Sequence, residues 1–333
     1  MMEAAQSEGT GRRWMTAAAW RSLFRDRPII PLLGLLGVLM IVSNLVRPGI
    51  VTSQWMGVIV RGAVPLAILA GCQTLAMLTG GIDLSVGAVA SMSGFVVATF
   101  VHSPGGWPAG IVVALFAALV AGLVTGIGVG VFRVHPLIMT LGMSFVVLGL
   151  ANVWQLIKVQ AGGGVPPELR WLGSAQFAEI VPYSLLVFVP LALLILLILR
   201  RTGYGRMLYA IGDNPVAARL SGTRGWQVLL VLYVMSAMFA AIAGFLLTGL
   251  TNVASVTLAD STVLPSVAAA VIGGTSIMGG RGGYTGTMVG AIILMVISSL
   301  LSSLGYPEAV RQVLFGSIIV AVAAAYTRVT SDT

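Results

Sequence analysis

Charge is what this chain has least of: 8% of its 333 residues are Asp, Glu, Lys or Arg, 58% are apolar, and the mean hydropathy is +1.02. An ordinary soluble domain carries about 25% charged residues. So little charge cannot cover a water-soluble protein of this size, and the bilayer is the solvent that the composition fits. Cysteine is nearly absent. The single one, Cys72, lies inside an apolar run, which excludes an internal disulfide and a thiolate metal cluster. The lone lysine, Lys158 in IKVQ, follows no glycine-rich loop, so the chain has no P-loop with which to hold ATP. Carboxylates are few, and Glu3, Glu8, Asp26, Asp83, Glu168, Glu179, Asp213, Asp260, Glu308 and Asp332 avoid the middles of the apolar runs. His102 and His135 stand at connections. Proton-driven transport needs titratable groups inside the spans, and hydrolysis needs a Ser/His/Asp or metal-ligand constellation. Neither pattern is present, so no catalytic residue and no metal site is expected, and the chain does not read as an enzyme. If it moves a solute uphill, another subunit supplies the energy.

What is abundant is long apolar sequence. Crossing the hydrocarbon as a helix takes about 20 residues, and the chain holds roughly ten such runs, near 29–46, 56–78, 84–101, 108–132, 137–157, 181–199, 226–249, 262–279, 284–304 and 309–326. Glycines and Pro65 or Pro265 interrupt the second, third and eighth. The first follows an arginine-rich head, exceeds a signal-peptide core in length and ends in no small-residue cleavage site, so it reads as the first membrane helix. The expected class is an all-α polytopic membrane protein with three parts: a cytosolic segment at 1–28, a membrane domain at 29–326 and a cytosolic tail at 327–333.

The net charge of +8 speaks to orientation. The arginines sit in short connections and are not interleaved with aromatics on one face, which excludes nucleic acid as the partner. With the N-terminus in the cytosol, Arg12, Arg13, Arg21, Arg25, Arg27, Arg133, Arg281, Arg328 and the arginines of 200–224 fall inside. Only Arg47, Lys158, Arg170 and Arg311 fall outside. The positive-inside rule therefore selects ten spans with both termini cytosolic. The outer segment 159–181, with its glycines, two prolines and Trp171, predicts an ordered loop with a short interfacial helix. Spans two to five and seven to ten make two groups of four that start on opposite faces, the arrangement of an inverted repeat. Gly122, Gly126 and Gly130 form a small-residue ridge, as do Gly286 and Gly290, and both predict close helix packing.

The insert at 200–225 is the most polar stretch between two apolar runs. Asn214 suits an N-cap, Pro215 the first helical position and Gly222 a stop. The enclosed piece is about two turns long, too short to hold itself helical in water. Two readings stand: a helix that docks into a partner, or a surface helix that tidies a connection. The docking reading takes in Gly212, Asp213, Asn214, Pro215, Ala217, Ala218, Leu220, Ser221 and Gly222.

For the solute path the polar groups within or beside the apolar runs are Asn44, Gln73, Thr74, Asn152, Trp154, Gln155 and Asn252. Uncharged amides and aromatics suit a neutral, hydroxyl-rich solute better than an ion, and they serve equally as glue between helices. Asp83 follows Gly80-Gly81 and precedes a small-residue helix. It either caps that helix or locks the cytosolic end of the path, with the glycines as a hinge. Arg61 either snorkels to the outer interface beside Trp55 or acts as a gate.

GGIDLSVGAVASMSG (80–94), AIGDNPVAARLSG (210–222), VIGGTSIMGGRGGYTGTMVGAII (271–293) and RQVLFGSIIVAV (311–322) resemble the membrane permeases of the ribose-type carbohydrate ABC importers. The resemblance runs from about residue 30 to 326. It implies a bacterial inner membrane, a fold similar to the vitamin B12 importer and pairing with a second copy or a homologous permease. It also implies a sugar-loaded periplasmic binding protein outside and ATPase subunits inside, with ATP and magnesium on those subunits and no cofactor in this chain. The family's coupling segment maps onto Gly212, Asn214, Ala217, Ala218, Ser221 and Gly222. Leu264, Pro265 and Ser266 stand where many members carry an acid, with Asp260 upstream. The expected function is the permease subunit for a monosaccharide or small polyol. The alternatives are a permease for a nucleoside or another small solute, such as a branched-chain amino acid, and a stand-alone secondary transporter.

Overall fold

The computed structural model describes residues 29–158, 164–178 and 180–331. The segment 1–28 with its five arginines, positions 159–163 and 179 of the outer loop, and 332–333 lie outside the described residues. Five helices come first: α1 (Ile29–Val46), α2 (Ser53–Leu78), α3 (Val86–Thr99), α4 (Gly106–Gly130) and α5 (Pro136–Lys158). The outer segment forms α6 (Pro167–Ser174) and two antiparallel two-residue strands, β1 (Gln176–Phe177) and β2 (Val181–Pro182). Then come α7 (Leu185–Arg201), α8 (Gly203–Asp213), α9 (Pro215–Leu220) and α10 (Gly225–Thr251). A 3-10 turn at Asp260–Thr262 leads into α11 (Val263–Ile272), and α12 (Tyr284–Ser303) and α13 (Glu308–Ser331) close the chain.

Among the described residues six helices, α1, α2, α4, α5, α10 and α12, are long and apolar enough to cross a membrane; α7 with α8, bent by 69°, makes a seventh if the pair is one span. The chain is an all-α polytopic membrane protein. The third and eighth expected spans come out short. α3 has 14 residues, roughly 21 Å, and α11 has 10, roughly 15 Å, against a hydrocarbon core of about 30 Å. Hydropathy counts apolar residues and does not register that the backbone leaves the helix at Gly80-Gly81 and after Ile272. Pro65, by contrast, sits inside the unbroken 26-residue α2. A short helix, α6, does stand in the segment 159–181, and its Trp171 stacks on Tyr183 with ring centroids 4.3 Å apart.

α2 is the axis of the bundle: every residue from Ala63 to Leu78 is buried, against α10, α12 and α11. Exposed apolar side chains crowd α1 and α5 instead, among them Leu45, Phe145 and Leu156. Among apolar surroundings helices hold together by close contact and hydrogen bonding rather than by escape from water, and the glycine ridges supply that contact. A methyl group at Gly122 would stand 2.8 Å from the Tyr233 carbonyl oxygen, at Gly126 2.7 Å from Leu230 Cα, and at Gly130 2.8 Å from the Trp226 carbonyl oxygen. α4 therefore lies directly on the α10 backbone. Gly286 and Gly290 do the same for α12, lying against the carbonyls of Gly273 and Ala269.

Candidate coupling and translocation site

The basic insert begins where α7 ends. Thr202 caps α8, its hydroxyl accepting from Gly205 N–H at 3.2 Å. The tyrosines of α8 anchor it: Tyr204 donates to the Val228 carbonyl at 2.8 Å and Tyr209 to the Gly282 carbonyl at 2.9 Å. Partial burial raises both phenols above their ordinary range. Asn214 then caps α9, its Oδ1 accepting from Val216 N–H at 3.0 Å and Ala217 N–H at 2.9 Å. Pro215 takes the first helical position, and Gly222 ends the turn with φ +84°. Five of the six α9 residues are exposed. Val216 and Leu220, one turn apart, are 66% and 84% exposed, while Ala218 is 6% exposed and faces the protein. Asp213, Ala217, Ser221 and Gly222 are exposed as well.

Just ahead of α9 in the chain the glycine-rich segments converge. Gly212, at the end of α8, lies so close to the Leu78 carbonyl that any Cβ would overlap it. Gly280 N–H donates to that same carbonyl at 3.0 Å. A Cβ at Gly279 would stand 2.9 Å from the Gly212 carbonyl oxygen and 3.0 Å from Gly80 N. The α2–α3 elbow, the lead into α9 and the α11–α12 loop thus meet backbone to backbone. Nothing in the spacing of these segments along the chain says that they touch.

The elbow itself is a closed polar network. Gln73 Nε2 donates to the Asp83 carbonyl at 2.8 Å, and Asp83 N–H donates back to Gln73 Oε1 at 3.2 Å. The Asp83 carboxylate accepts from Ser85 N–H at 3.0 Å, from Ser85 Oγ at 2.6 Å and from Ser236 Oγ at 2.6 Å. Thr140 of α5 accepts from Leu84 N–H at 3.1 Å. Asp83 therefore braces Ser85, the N-cap residue of α3, and ties this turn to α10 without itself capping the helix. The Tyr233 hydroxyl, buried with no hydrogen-bond partner among the described residues, lies against Gly81. Thr74 bonds Thr287 of α12 at 2.7 Å, joining two more elements of the core.

The remaining path residues are not brought together. Asn44 is exposed and accepts from Gly49 N–H at 3.1 Å beyond the end of α1. Asn152, also exposed, donates to the Leu148 carbonyl of its own helix at 2.9 Å. Trp154 donates to Thr99 Oγ1 at 3.1 Å and stacks on Phe100, and Gln155 beside it is half-buried. Asn252 ends α10 in the left-handed conformation, φ 55°. The Arg61 guanidinium donates to the Ser174 carbonyl at 2.6 Å and holds α2 to the end of α6. Sequence reasoning left out a cavity of about 500 Å³ lined in part by Thr257, Asp260, Ser261, Gln312 and Phe315. Partial burial raises the Asp260 carboxyl above the usual carboxylate range. Its signal was Asp260, an acid just ahead of an apolar run. No group of three or more His, Cys, Asp or Glu among the described residues is arranged to hold a metal.

A bundle of apolar helices with a capped loop helix on a glycine junction describes an architecture, and comparison with known proteins assigns it. The protein-family model described as "Branched-chain amino acid transport system / permease component" matches residues 55–323. The chain belongs to that family. This permease component is 33% identical over 289 residues to the ribose import permease protein of Bacillus subtilis (strain 168), covering 87% of this chain and 89% of that protein. It is 32% identical over 275 residues to the fructose import permease protein of Rhizobium meliloti, covering 80% and 75%. It is 31% identical over 268 residues to the galactofuranose transporter permease protein of Escherichia coli (strain K12), covering 79% and 77%. No solved structure matches the permease.

Proposed function

We propose that this permease is the membrane-spanning subunit of a bacterial ATP-binding cassette importer for a monosaccharide or similar small polyol. Ribose, fructose and galactofuranose in the names of its relatives support the substrate class. A separate ATPase subunit, carrying ATP and magnesium, drives the cycle, and a periplasmic sugar-binding protein delivers the solute to a pair of permeases. The observation that carries this reading is α9: a capped helix with Val216 and Leu220 bare to solvent, its lead-in Gly212 lying on the backbone junction of the α2–α3 elbow and the α11–α12 loop. Exposed apolar side chains at i and i+4 on a surface helix are what a helix-in-groove contact reads.

Ten spans with both termini in the cytosol complete the proposal. The short α3 and α11 count as broken spans, because irregular backbone at membrane depth is tolerated where protein buries it. The two groups of four share an order of long, short, long, long: α2 to α5 have 26, 14, 25 and 23 residues, and α10 to α13 have 27, 10, 20 and 24. That order supports the inverted repeat and a fold like that of the vitamin B12 importer. In this orientation the cavity at Asp260 opens at the outer mouth, where carboxylate, amide and hydroxyl groups over Phe315 suit sugar hydroxyls.

The test is reconstitution in vesicles. Permease alone should neither hydrolyse ATP nor concentrate sugar. Adding the ATPase and the loaded binding protein should start both. Sugar accumulation by the single purified chain would refute the reading in favour of a secondary transporter. The family's description also names branched-chain amino acids, and uptake of leucine but of no sugar in the same vesicles would favour that substrate.

A further inference from the structure

A cavity of about 790 Å³ lies between the end of α4, the start of α10 and the inward side of α9. Arg133, Arg219 and Arg224 line it, and no acidic residue does. All three arginines are exposed, and none has a side-chain hydrogen bond or ion pair among the described residues. Three like charges around one concavity repel one another unless an anion sits between them. The start of α10 adds to this field. Arg224 occupies its N-cap position without a side-chain cap, so the positive end of the 27-residue helix is left uncompensated at Gly225 and Trp226.

The rim is of a different character. Val131 belongs to the wall, Phe132 beside it is 74% exposed, and Trp226 is 47% exposed. Apolar side chains bare at the end of a membrane helix face lipid, and tryptophan is at home at headgroup depth. A cationic hollow opening onto an apolar rim matches a molecule with an anionic head and hydrocarbon tails. Basic pockets between membrane helices on the cytoplasmic side hold phospholipid headgroups in this way.

We propose that this cavity is a binding site for an anionic phospholipid. The phosphate lies among Arg133, Arg219 and Arg224, and the acyl chains run out over Phe132 and Trp226. Ala218 forms part of the wall, so the headgroup sits directly behind α9.

The experiment uses the purified full chain and native mass spectrometry, with phosphatidylglycerol and phosphatidylcholine offered in turn. Phosphatidylglycerol should be retained and phosphatidylcholine should not. The double variant Arg133→Gln/Arg224→Gln should weaken retention about tenfold or more, whereas Arg170→Gln, on the outer side, should leave it unchanged. Brominated phosphatidylglycerol should quench wild-type fluorescence more than that of Trp226→Phe, a readout that holds even if the double variant folds poorly. Equal retention of the two lipids, or no loss in the double variant, overturns the site. Displacement of the lipid by inorganic phosphate at matched concentration would mark a free-phosphate site and overturn the lipid assignment. Unchanged lipid retention together with loss of the ATPase on co-purification would give the arginines to the protein partner and overturn it as well.

Discussion

Asn214 and Leu220 share one short helix and do separable work. Asn214 supplies two cap hydrogen bonds, and Asn214→Ala should loosen α9 by about 1 kcal/mol. Uptake in reconstituted vesicles should then fall in part. Leu220 stabilises nothing inside the permease, since it is almost bare. Leu220→Asp should leave the thermal unfolding of the isolated permease unchanged and abolish co-purification with the ATPase. Normal co-purification of that variant would take the docking role away from α9. The cap and stop of α9 could be read from the sequence because capping is local chemistry within three residues. The inward turn of Ala218 could not, because six residues carry no periodicity that says which side faces the bundle. Ser236 was illegible for the opposite reason: its partner Asp83 is 153 positions away. Ser236→Ala strips one hydrogen bond from a buried carboxylate, a loss of about 1.5–3 kcal/mol. It should lower the unfolding temperature in detergent, whereas Ser317→Ala, on the exposed side of α13, should not.

At the scale of elements, α4 and α10 approach backbone to backbone, and this was legible because glycines four residues apart share one helix face. Gly126→Leu places a branched side chain where Leu230 Cα already stands, so the two helices must separate. We predict loss of monodisperse protein on gel filtration. Gly142→Leu is the control, because nothing lies within 4 Å of a Cβ there. If Gly126→Leu purified as well as Gly142→Leu, the ridge would not hold the bundle. Element lengths were harder to read. An apolar, glycine-rich run such as 262–279 satisfies a hydropathy ruler whether it is one helix or a ten-residue helix and a loop. What stops α11 is the glycine-rich chain after Ile272, which leaves the helix and packs against α12, Gly212 and the α2–α3 elbow.

For the whole molecule, membrane insertion could be read from composition alone, because every apolar span is sorted by the same bilayer. The junction ahead of α9 could not be, since it joins residues 78–80, 212 and 279–280, which no local pattern relates. Its geometry bears directly on coupling. A push on α9 reaches Gly212 within two residues, and Gly212 lies against both the Leu78 carbonyl and the α11–α12 loop. A rigid backbone contact of this kind can carry a displacement into both halves of the bundle at once, provided no side chain holds the segments apart. Gly212→Ala introduces one methyl group that overlaps the Leu78 carbonyl and Gly280 N–H, and it changes no exposed side chain of α9. The ATPase should therefore still co-purify with this variant, and ATP hydrolysis should continue. Sugar accumulation in vesicles should nevertheless drop by at least about tenfold, which corresponds to roughly 1.4 kcal/mol of lost coupling. Loss of docking in Gly212→Ala would mean that the junction shapes α9 without transmitting through it. Full uptake would mean that the junction bends freely and carries no signal. Docking with futile hydrolysis is the outcome that a shared backbone contact requires.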